Sequence, residues 1–263
     1  MSLAGRSYKE VCETFSWIIP ERFNIADAIC DRHVGADRTA LIYETTDGAV
    51  TDFTFEALQE RSRRLANALL AQGINRGDRI GILLPQCPEA LITHLAAYRI
   101  GAIALPLFTL FGPDALAYRL NDSGAKAAVS NTEGIEKLIQ LRDQLTVKPL
   151  LIAVEDRVDG STLEWSALIE VASSSHTTVA TAAEDPAIIV YTSGTTGNPK
   201  GVLYAHRTLL GHMPGVEFPH DFFPQPGDRM WTPADWAWAG GLMDVLLPSL
   251  FHGIPVLAKR LKK

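Results

Sequence analysis

What this 263-residue sequence lacks argues against several classes of protein. Its only cysteines, Cys12, Cys30 and Cys87, are far apart and form no C-x-x-C pair, so neither a disulfide framework nor a zinc knuckle is predicted. It also lacks an excess of positive charge, since the formal net charge is −6. A protein that binds nucleic acid or an anionic membrane needs a basic face. We therefore expect a cytoplasmic protein with reduced thiols and no nucleic-acid partner.

An uninterrupted hydrophobic run long enough for a transmembrane helix is also missing. Between Trp236 and Ala258 the only charged residue is Asp244, but glycines and prolines interrupt this stretch. A spanning helix needs about 20 consecutive apolar residues. We predict instead a buried helix over about 241–251 and a short strand over 255–258, without a membrane span.

Patterns typical of strands and helices alternate along the first part of the chain. We predict strands over 40–43, 50–53, 79–84, 102–107, 126–130 and 150–154, and helices over Thr54 to Gly73, Pro88 to Gly101, 113–122 and 133–145. Strands that alternate with helices of this length indicate right-handed βαβ units. The predicted fold class is therefore α/β, with mostly parallel sheets flanked by helices in two subdomains.

A change in composition suggests where the two subdomains meet. Residues 171–185 are rich in serine, threonine and alanine and contain few residues able to anchor a core, which is typical of a surface connector. This assignment makes residues 1–170 a first α/β subdomain and residues 186–263 the start of a second one. The second part opens with a strong strand pattern over 187–191.

A segment rich in glycine and hydroxyl groups follows that strand directly. Residues 192–201 read Thr-Ser-Gly-Thr-Thr-Gly-Asn-Pro-Lys-Gly. Glycines let backbone N–H groups approach an anion closely, and hydroxyl groups donate to phosphate oxygens. Lys200 adds a positive charge on a flexible stem. The pattern predicts a phosphate-binding loop, but a solvated turn between two strands is the alternative.

The loop also bears on metal ions and on other nucleotide-binding motifs. A triphosphate carries more charge than Lys200 alone can neutralise, so a divalent cation, by preference Mg²⁺, is implied. The segment is not a Walker A motif, because Lys200 precedes Gly201 rather than following a glycine. No metal site made of side chains is predicted, since His206 and His212 have no third ligand nearby in the sequence.

The ten residues 192–201 resemble the phosphate-binding loop of the AMP-forming acyl-CoA synthetases, which belong to the adenylate-forming superfamily. Every position agrees, and Asn198 stands where the family varies. Residues 16–24, 73–78 and 232–238 resemble further segments of the acetyl- and medium-chain-type members. The resemblance covers about residues 16–258 and implies the fold of the N-terminal part of the family's large domain.

This resemblance implies a reaction in two steps. ATP and a carboxylic acid would form an acyl-adenylate and pyrophosphate, and CoA would then displace AMP to give a thioester. Trp238, together with Trp236 and Asp235, would border the acyl pocket, although a core position is the alternative for Trp238. The residues implied to hold the β- and γ-phosphates are Thr192, Ser193, Gly194, Thr195, Thr196, Gly197, Asn198, Pro199 and Lys200, of which Thr195, Thr196 and Lys200 would be catalytic.

Members of the family continue beyond the position of Lys263, into the rest of the large domain and a small C-terminal domain. The resemblance therefore implies an N-terminal fragment: an engineered truncation, a disrupted gene or one part of a split enzyme. We expect it not to catalyse adenylation alone, and to self-associate if a sheet edge or apolar face is uncovered. Two alternatives are a non-catalytic nucleotide-binding or scaffolding module completed by a partner chain, and an ordinary phosphate-loop NTPase, which the motif spacing disfavours.

Overall fold

The structure is a computed structural model that describes residues 7–192 and 197–259, apart from the side chain of Val11. Ser193, Gly194, Thr195 and Thr196 of the predicted loop lie outside the described residues. The helices are α1 (Tyr8–Thr14), α2 (Ile25–Ile29), α3 (Phe55–Ala71), α4 (Pro88–Arg99), α5 (Pro113–Ser123), α6 (Thr132–Gln140), α7 (Trp165–Val171), α8 (Thr208–Glu217), α9 (Ala239–Gly241) and α10 (Leu247–Phe251). The strands are β1 (Thr39–Glu44), β2 (Val50–Thr54), β3 (Arg79–Leu83), β4 (Ile103–Pro106), β5 (Ala127–Ser130), β6 (Leu150–Ala153), β7 (Thr162–Glu164), β8 (Pro186–Thr192), β9 (Lys200–Ala205) and β10 (Val256–Lys259).

In the described ranges, seven strands form the main sheet, in the order β7-β6-β5-β3-β4-β8-β9. Every neighbouring pair is parallel except β8 and β9, which form an antiparallel hairpin. A second sheet has the order β10-β1-β2, with β10 parallel and β2 antiparallel to β1. The predicted α/β class with mostly parallel strands is confirmed.

Helices cover both faces of the main sheet. Since successive side chains of a strand point to opposite faces, one strand contributes to a core on each side. Ile80 and Ile82 of β3 pack in one core with residues of α3 and α4. Leu83 of β3 packs in a second core with Leu116 of α5 and Ile135 of α6. The central strands are thus buried on both sides, which is why they read as continuous apolar runs.

Local signals for the ends of elements are mostly confirmed. The Thr54 hydroxyl accepts a hydrogen bond from the Ala57 N–H at 3.2 Å and caps α3, and Pro88 is the first residue of α4. The helix predicted over 133–145 is shorter than expected. It ends at Gln140, and a separate 3₁₀ turn follows over Arg142–Gln144. The short elements α1, α2, β7 and α7 were not predicted, since they are too short for a clear period.

The segment 171–185 is tied to its neighbours by side chains of α3. Arg64 and Asn67 donate hydrogen bonds to backbone carbonyl oxygens of residues 172–175 at 2.7–2.9 Å. The strand that follows, β8, pairs with β4 in the main sheet. The division into two subdomains on either side of this segment stays a prediction.

The apolar stretch near residue 240 forms buried helix, as predicted. Helix α9, a π-helical turn over Leu242–Leu246 and α10 follow one another, and β10 comes next. No helix in the described ranges is long and apolar enough to cross a membrane. All three cysteines are free thiols, and Cys30 and Cys87 are buried.

Candidate functional site

The carboxyl ends of β3, β4, β5 and β8 share one edge of the main sheet, because these strands are parallel. From this edge β3 leads into α4 on one face, whereas its neighbour β5 leads into α6 on the opposite face. Where adjacent strands turn to opposite faces, a crevice opens at the carboxyl edge, and open α/β sheets bind ligands there.

A cavity of about 560 Å³ occupies this crevice. Its walls come from the end of β3, from segments that follow β3, β4 and β5, from the loop before α9 and from the end of β10. They combine apolar and aromatic side chains with several charged ones, as small-molecule sites usually do. The lining residues are Leu83, Pro85, Gln86, Phe108, Thr109, Leu110, Asn131, Glu133, Gly134, Lys137, Pro233, Ala234, Asp235, Trp238 and Lys259.

One buried side chain holds three of these segments together. The Gln86 amide Nε2 donates to the carbonyl oxygens of Thr232 at 2.9 Å and Ala234 at 2.7 Å. Its Oε1 accepts the backbone N–H of Lys259 at 3.4 Å. Gln86 therefore joins the β3–α4 loop, the 232–235 wall of the cavity and β10.

Two of the three residues predicted to border the acyl pocket line this cavity. Burial raises the pKa of Asp235, even though its carboxylate accepts the N–H of Ala237 at 2.9 Å. Trp238 is 47% exposed and packs against Phe108 with ring centroids 5.4 Å apart. The third residue, Trp236, is 2% exposed, lies in the apolar core and does not line the cavity. A role for these residues in acyl binding stays a prediction.

The hairpin of β8 and β9 frames the predicted phosphate loop. Thr192 ends β8 and is paired with Lys200, which begins β9. Gly197 has a φ of +93°, in the left-handed region that favours glycine. Thr192, Gly197, Asn198 and Lys200 are exposed, and Pro199 is partly buried. Phosphate binding by the loop stays a prediction, because residues 193–196 lie outside the described residues.

The hairpin and the cavity adjoin at the same edge of the sheet. Strand β8 lies beside β4, and Phe108 follows the carboxyl end of β4. Tyr191, the residue before Thr192, lines a smaller cavity together with Phe111 and Trp238. The structure therefore brings the base of the predicted loop close to the predicted pocket residue Trp238.

The two histidines near the loop make separate contacts. His206 is buried and its Nδ1 accepts the Ile25 N–H at 3.2 Å, and burial lowers the pKa of this histidine to about 4. His212 is paired with Asp244 at 3.0 Å. In the described ranges, no group of three or more His, Cys, Asp or Glu side chains is placed to hold a metal ion.

Sequence reasoning missed the residues that follow the central strands. Gln86 follows β3, Phe108 follows β4, and Asn131 and Lys137 follow β5. The available signal was their position after predicted parallel strands, because the carboxyl ends of such strands meet at one edge. The strand order, which the sequence does not show, was needed to bring them together.

Comparison with known proteins identifies relatives over nearly the whole chain. The sequence is 34% identical to an acetyl-coenzyme A synthetase from Escherichia coli K12 over 93% of the chain. It is also 34% identical to an acetyl-coenzyme A synthetase from Shewanella oneidensis MR-1 over the same share. The chain spans 40% of the length of each of these relatives.

Solved structures show the same fold. The crystal structure of a Brucella canis acyl-CoA synthetase matches with a TM-score of 0.86 and 30% identity, over 99% of this chain and 47% of that one. The anthranilate CoA ligase AuaEII, crystallised with anthranoyl-AMP, matches in fold with a TM-score of 0.83 at 22% identity, over 91% of this chain and 45% of that one. Residues 30–260 match the family model described as AMP-binding enzyme. The family resemblance predicted from residues 192–201 is thereby confirmed, and the chain belongs to the AMP-binding enzyme family.

Proposed function

We propose that this chain is the ATP-binding N-terminal part of an AMP-forming acyl-CoA synthetase. The whole enzyme would transfer the AMP group of ATP to a small or medium-sized carboxylic acid with release of pyrophosphate. It would then transfer the acyl group from this adenylate to CoA with release of AMP. The observation that carries this proposal is the position of the β8–β9 hairpin, which opens at the carboxyl edge of the sheet beside the 560 Å³ cavity. A cytoplasmic location agrees with the free thiols of the chain.

The base of the loop carries the groups that a polyphosphate needs. The paired residues Thr192 and Lys200 are both exposed, so a hydroxyl group and a cation stand on the two sides of the loop. When a carboxylate attacks the α-phosphate, negative charge builds up on the leaving pyrophosphate. Fixed donors and a positive charge at that position stabilise the transition state more than the ground state.

Mg²⁺ fits this site as part of the nucleotide complex. Mg²⁺ prefers oxygen ligands, keeps several waters and is commonly held by substrate phosphates together with one or two protein groups. The Thr192 hydroxyl is such an oxygen donor, and no group of three or more His, Cys, Asp or Glu side chains in the described ranges is placed to hold a metal ion by itself. When bound, the ion would neutralise phosphate charge, while Lys200 would bind and orient the same phosphates.

The cavity beside the hairpin would receive the acyl group and the thiol end of CoA. Phe108, Pro233 and Trp238 give it apolar walls that suit a short acyl chain. Gln86 holds the wall that carries Pro233 and Asp235 through its two donated hydrogen bonds. The proposed acyl and CoA roles require the hairpin to lie next to the cavity. Its residue Tyr191 does so, because Tyr191 and Trp238 line the same small cavity.

Binding of Mg-ATP by the chain tests the phosphate role. We expect Lys200→Ala to weaken binding, measured by isothermal titration calorimetry, at least about ten-fold, because a hydrogen bond to a charged group contributes about 1.5–3 kcal/mol. Lys148→Ala is the matched control, because it removes an exposed lysine just before β6, at the amino edge of the sheet. Equal Mg-ATP affinity of Lys200→Ala and the parent chain contradicts the proposal.

Coexpression with a chain that carries the remaining segments of the family tests catalysis. We expect no acid-dependent ATP–pyrophosphate exchange from the 263-residue chain alone, and thioester formation after coexpression. Strong exchange by the chain alone contradicts the expected dependence on further segments. Nucleotide binding without any complementation favours a non-catalytic nucleotide-binding module.

A further inference from the structure

Arg119 of α5 is a buried cation without a carboxylate partner among the described residues. Only 7% of its surface is exposed. Its Nη1 donates to the carbonyl oxygen of Ala115 at 2.8 Å, and its buried Nε has no hydrogen-bond partner in the described part of the chain. Burial lowers the pKa of this guanidinium, and the phenol groups of Tyr191 and Tyr118 oppose that effect without reversing it.

The surroundings of Arg119 are unusual for a buried charge, which is normally paired with an opposite one. The guanidinium lies 3.9 Å from the ring centroid of Phe111 and 5.5 Å from that of Tyr191. Aromatic rings offset part of the lost hydration but supply no negative charge. Arg99 shows the ordinary arrangement in the same protein, because its two Nη atoms bind the Asp31 carboxylate at 2.6–2.7 Å.

One acidic group of α5 is engaged by Tyr191. Asp122, on the same helix as Arg119, accepts the Tyr191 hydroxyl at 2.6 Å. The same hydroxyl lies 3.3 Å from the backbone carbonyl oxygen of Arg119. These bonds hold the Tyr191 ring against α5 and keep the guanidinium beside it.

Arg119 is directed towards the carboxyl edge of the sheet. Its Nη1 reaches back one turn to Ala115, near the start of α5, and that start follows the carboxyl end of β4. Phe111 and Tyr191, the two rings that the guanidinium contacts, line the small cavity beside Trp238. The positive charge therefore stands behind an aromatic wall at the base of the β8–β9 hairpin.

We propose that Arg119 is a fixed positive charge that favours a polyphosphate anion at the β8–β9 hairpin, acting through the wall of Phe111 and Tyr191 as a positioning residue. This inference rests on the proposed function. It adds to the same phosphate site the electrostatic field of Arg119, which lies on the other side of the Phe111 and Tyr191 rings. A charge held in a poorly polarisable surrounding is weakly screened. Its effect grows with ligand charge, so pyrophosphate and ATP gain more than AMP.

Calorimetric titrations of the 263-residue chain with Mg-pyrophosphate and with AMP test this role. Arg119→Met keeps the aliphatic stem and removes the charge, and we expect it to weaken pyrophosphate binding about ten-fold while AMP binding changes about two-fold or less. Arg119→Lys retains the charge and should keep most of the pyrophosphate affinity. Arg142→Met is the control, because it removes an equal, partly buried charge from the 3₁₀ turn after α6.

Each result decides a separate point. Weaker pyrophosphate binding by Arg119→Met, with rescue by lysine, supports the proposal. A folded Arg119→Met variant that binds pyrophosphate as the parent does overturns it and leaves the loop proposal intact. Equal losses for AMP and pyrophosphate indicate a structural role and also overturn it. A parent chain that binds no pyrophosphate overturns the proposed function, and with it the role of Arg119.

A measurement on the parent chain keeps the proposal testable if Arg119→Met does not fold. The Nε–H of Arg119 is buried and unpartnered, so its ¹⁵N–¹H resonance should be observable, and Arg119→Lys assigns it by its disappearance. We expect this resonance to shift when Mg-pyrophosphate is added. An unchanged Arg119 resonance at saturating pyrophosphate overturns the proposal.

Discussion

Two neighbouring glycines at the start of the last helical stretch have different surroundings. A Cβ atom on Gly241 would lie 2.5 Å from the carbonyl oxygen of Asp235 and 2.9 Å from that of Ala234. At Gly240 the nearest atom, a carboxylate oxygen of Asp244, would be 3.8 Å away. Backbone atoms cannot rotate away as a side chain can, so Gly241 allows the cavity wall to rest directly on the helix.

We expect Gly241→Ala to lower the free energy of unfolding by about 1–3 kcal/mol, because the added methyl group overpacks a buried contact. Gly240→Ala is the matched control, and it should be neutral or stabilising by up to about 1 kcal/mol, since alanine favours helix over glycine. Urea denaturation followed by circular dichroism measures both. A Gly241→Ala variant as stable as the parent would contradict the close backbone contact.

The hydrogen bonds of Gln86 hold the 232–235 wall of the cavity, so their loss should change that wall. Gln86→Leu leaves the carbonyl oxygens of Thr232 and Ala234 without their donor, at a cost of about 1–3 kcal/mol for each buried group left unpaired. We expect the wall to become more mobile and the ¹⁹F resonance of 5-fluorotryptophan at Trp238 to broaden. The buried Trp165 of α7 is the internal control. A sharp, unshifted Trp238 resonance in Gln86→Leu would show that Gln86 does not hold the wall.

At the scale of elements, the β8–β9 hairpin forms one end of the main sheet. Strand β9 pairs with β8 and is an edge strand in the described part of the chain. Val202 and Leu203 of β9 are 37% and 54% exposed. An edge strand with exposed apolar side chains offers unpaired backbone groups to another strand. This agrees with the predicted tendency towards self-association.

We expect the chain to self-associate with rising concentration and Leu203→Lys to reduce this association, because a charge on an edge strand opposes strand pairing. Sedimentation velocity measures the distribution of species. Val147→Lys is the control, since Val147 is 41% exposed in the loop before β6 and lies outside the sheet edge. A monomeric parent chain at high concentration would rule out pairing through β9.

At the scale of the whole molecule, Arg99 joins parts of the chain that are distant in sequence. It is fully buried on α4. Its guanidinium donates to the Asp31 carboxylate at 2.6–2.7 Å, to the Ser62 hydroxyl at 2.9 Å and to the Thr178 hydroxyl at 3.0 Å. This network holds α3, α4, the turn after α2 and the segment 171–185 in one arrangement.

Asp31 makes the stability of this arrangement depend on pH. Burial by itself raises the pKa of Asp31, but the hydrogen bonds and charge of Arg99 outweigh burial and lower the pKa. A carboxyl group with a lowered pKa in the folded state contributes stability above its unfolded pKa of about 3.9 and loses it as pH falls through the folded value. We expect Asp31→Asn to lose about 3 kcal/mol of unfolding free energy at pH 7, because Arg99 stays buried without its charge partner.

The difference in stability between the parent chain and Asp31→Asn should therefore shrink as pH falls through the folded pKa of Asp31. Urea midpoints measured from neutral to acid pH test this. Asp52→Asn, which changes an exposed carboxyl group on β2, is the control. A constant difference between Asp31→Asn and the parent at all pH values would contradict the ionic role of Asp31.

The amino-acid sequence alone determined the longer local elements and the family. The Thr54 cap, Pro88 at the start of α4 and the turn at Gly73 depend on groups within one helical turn, so neighbouring residues suffice to predict them. The motif of residues 192–201 indicated the family because ten consecutive residues carry it, whatever their tertiary contacts.

Only the tertiary structure decided where those pieces meet. It placed β8 beside β4 across the segment 171–185, buried Trp236 and left Trp238 at the cavity. It also put Arg119 behind Tyr191, with no carboxylate partner among the residues that the structure describes. The physical reason is that strand order and burial depend on contacts between residues far apart in the chain, and local periodicity does not record which distant segment covers a given face.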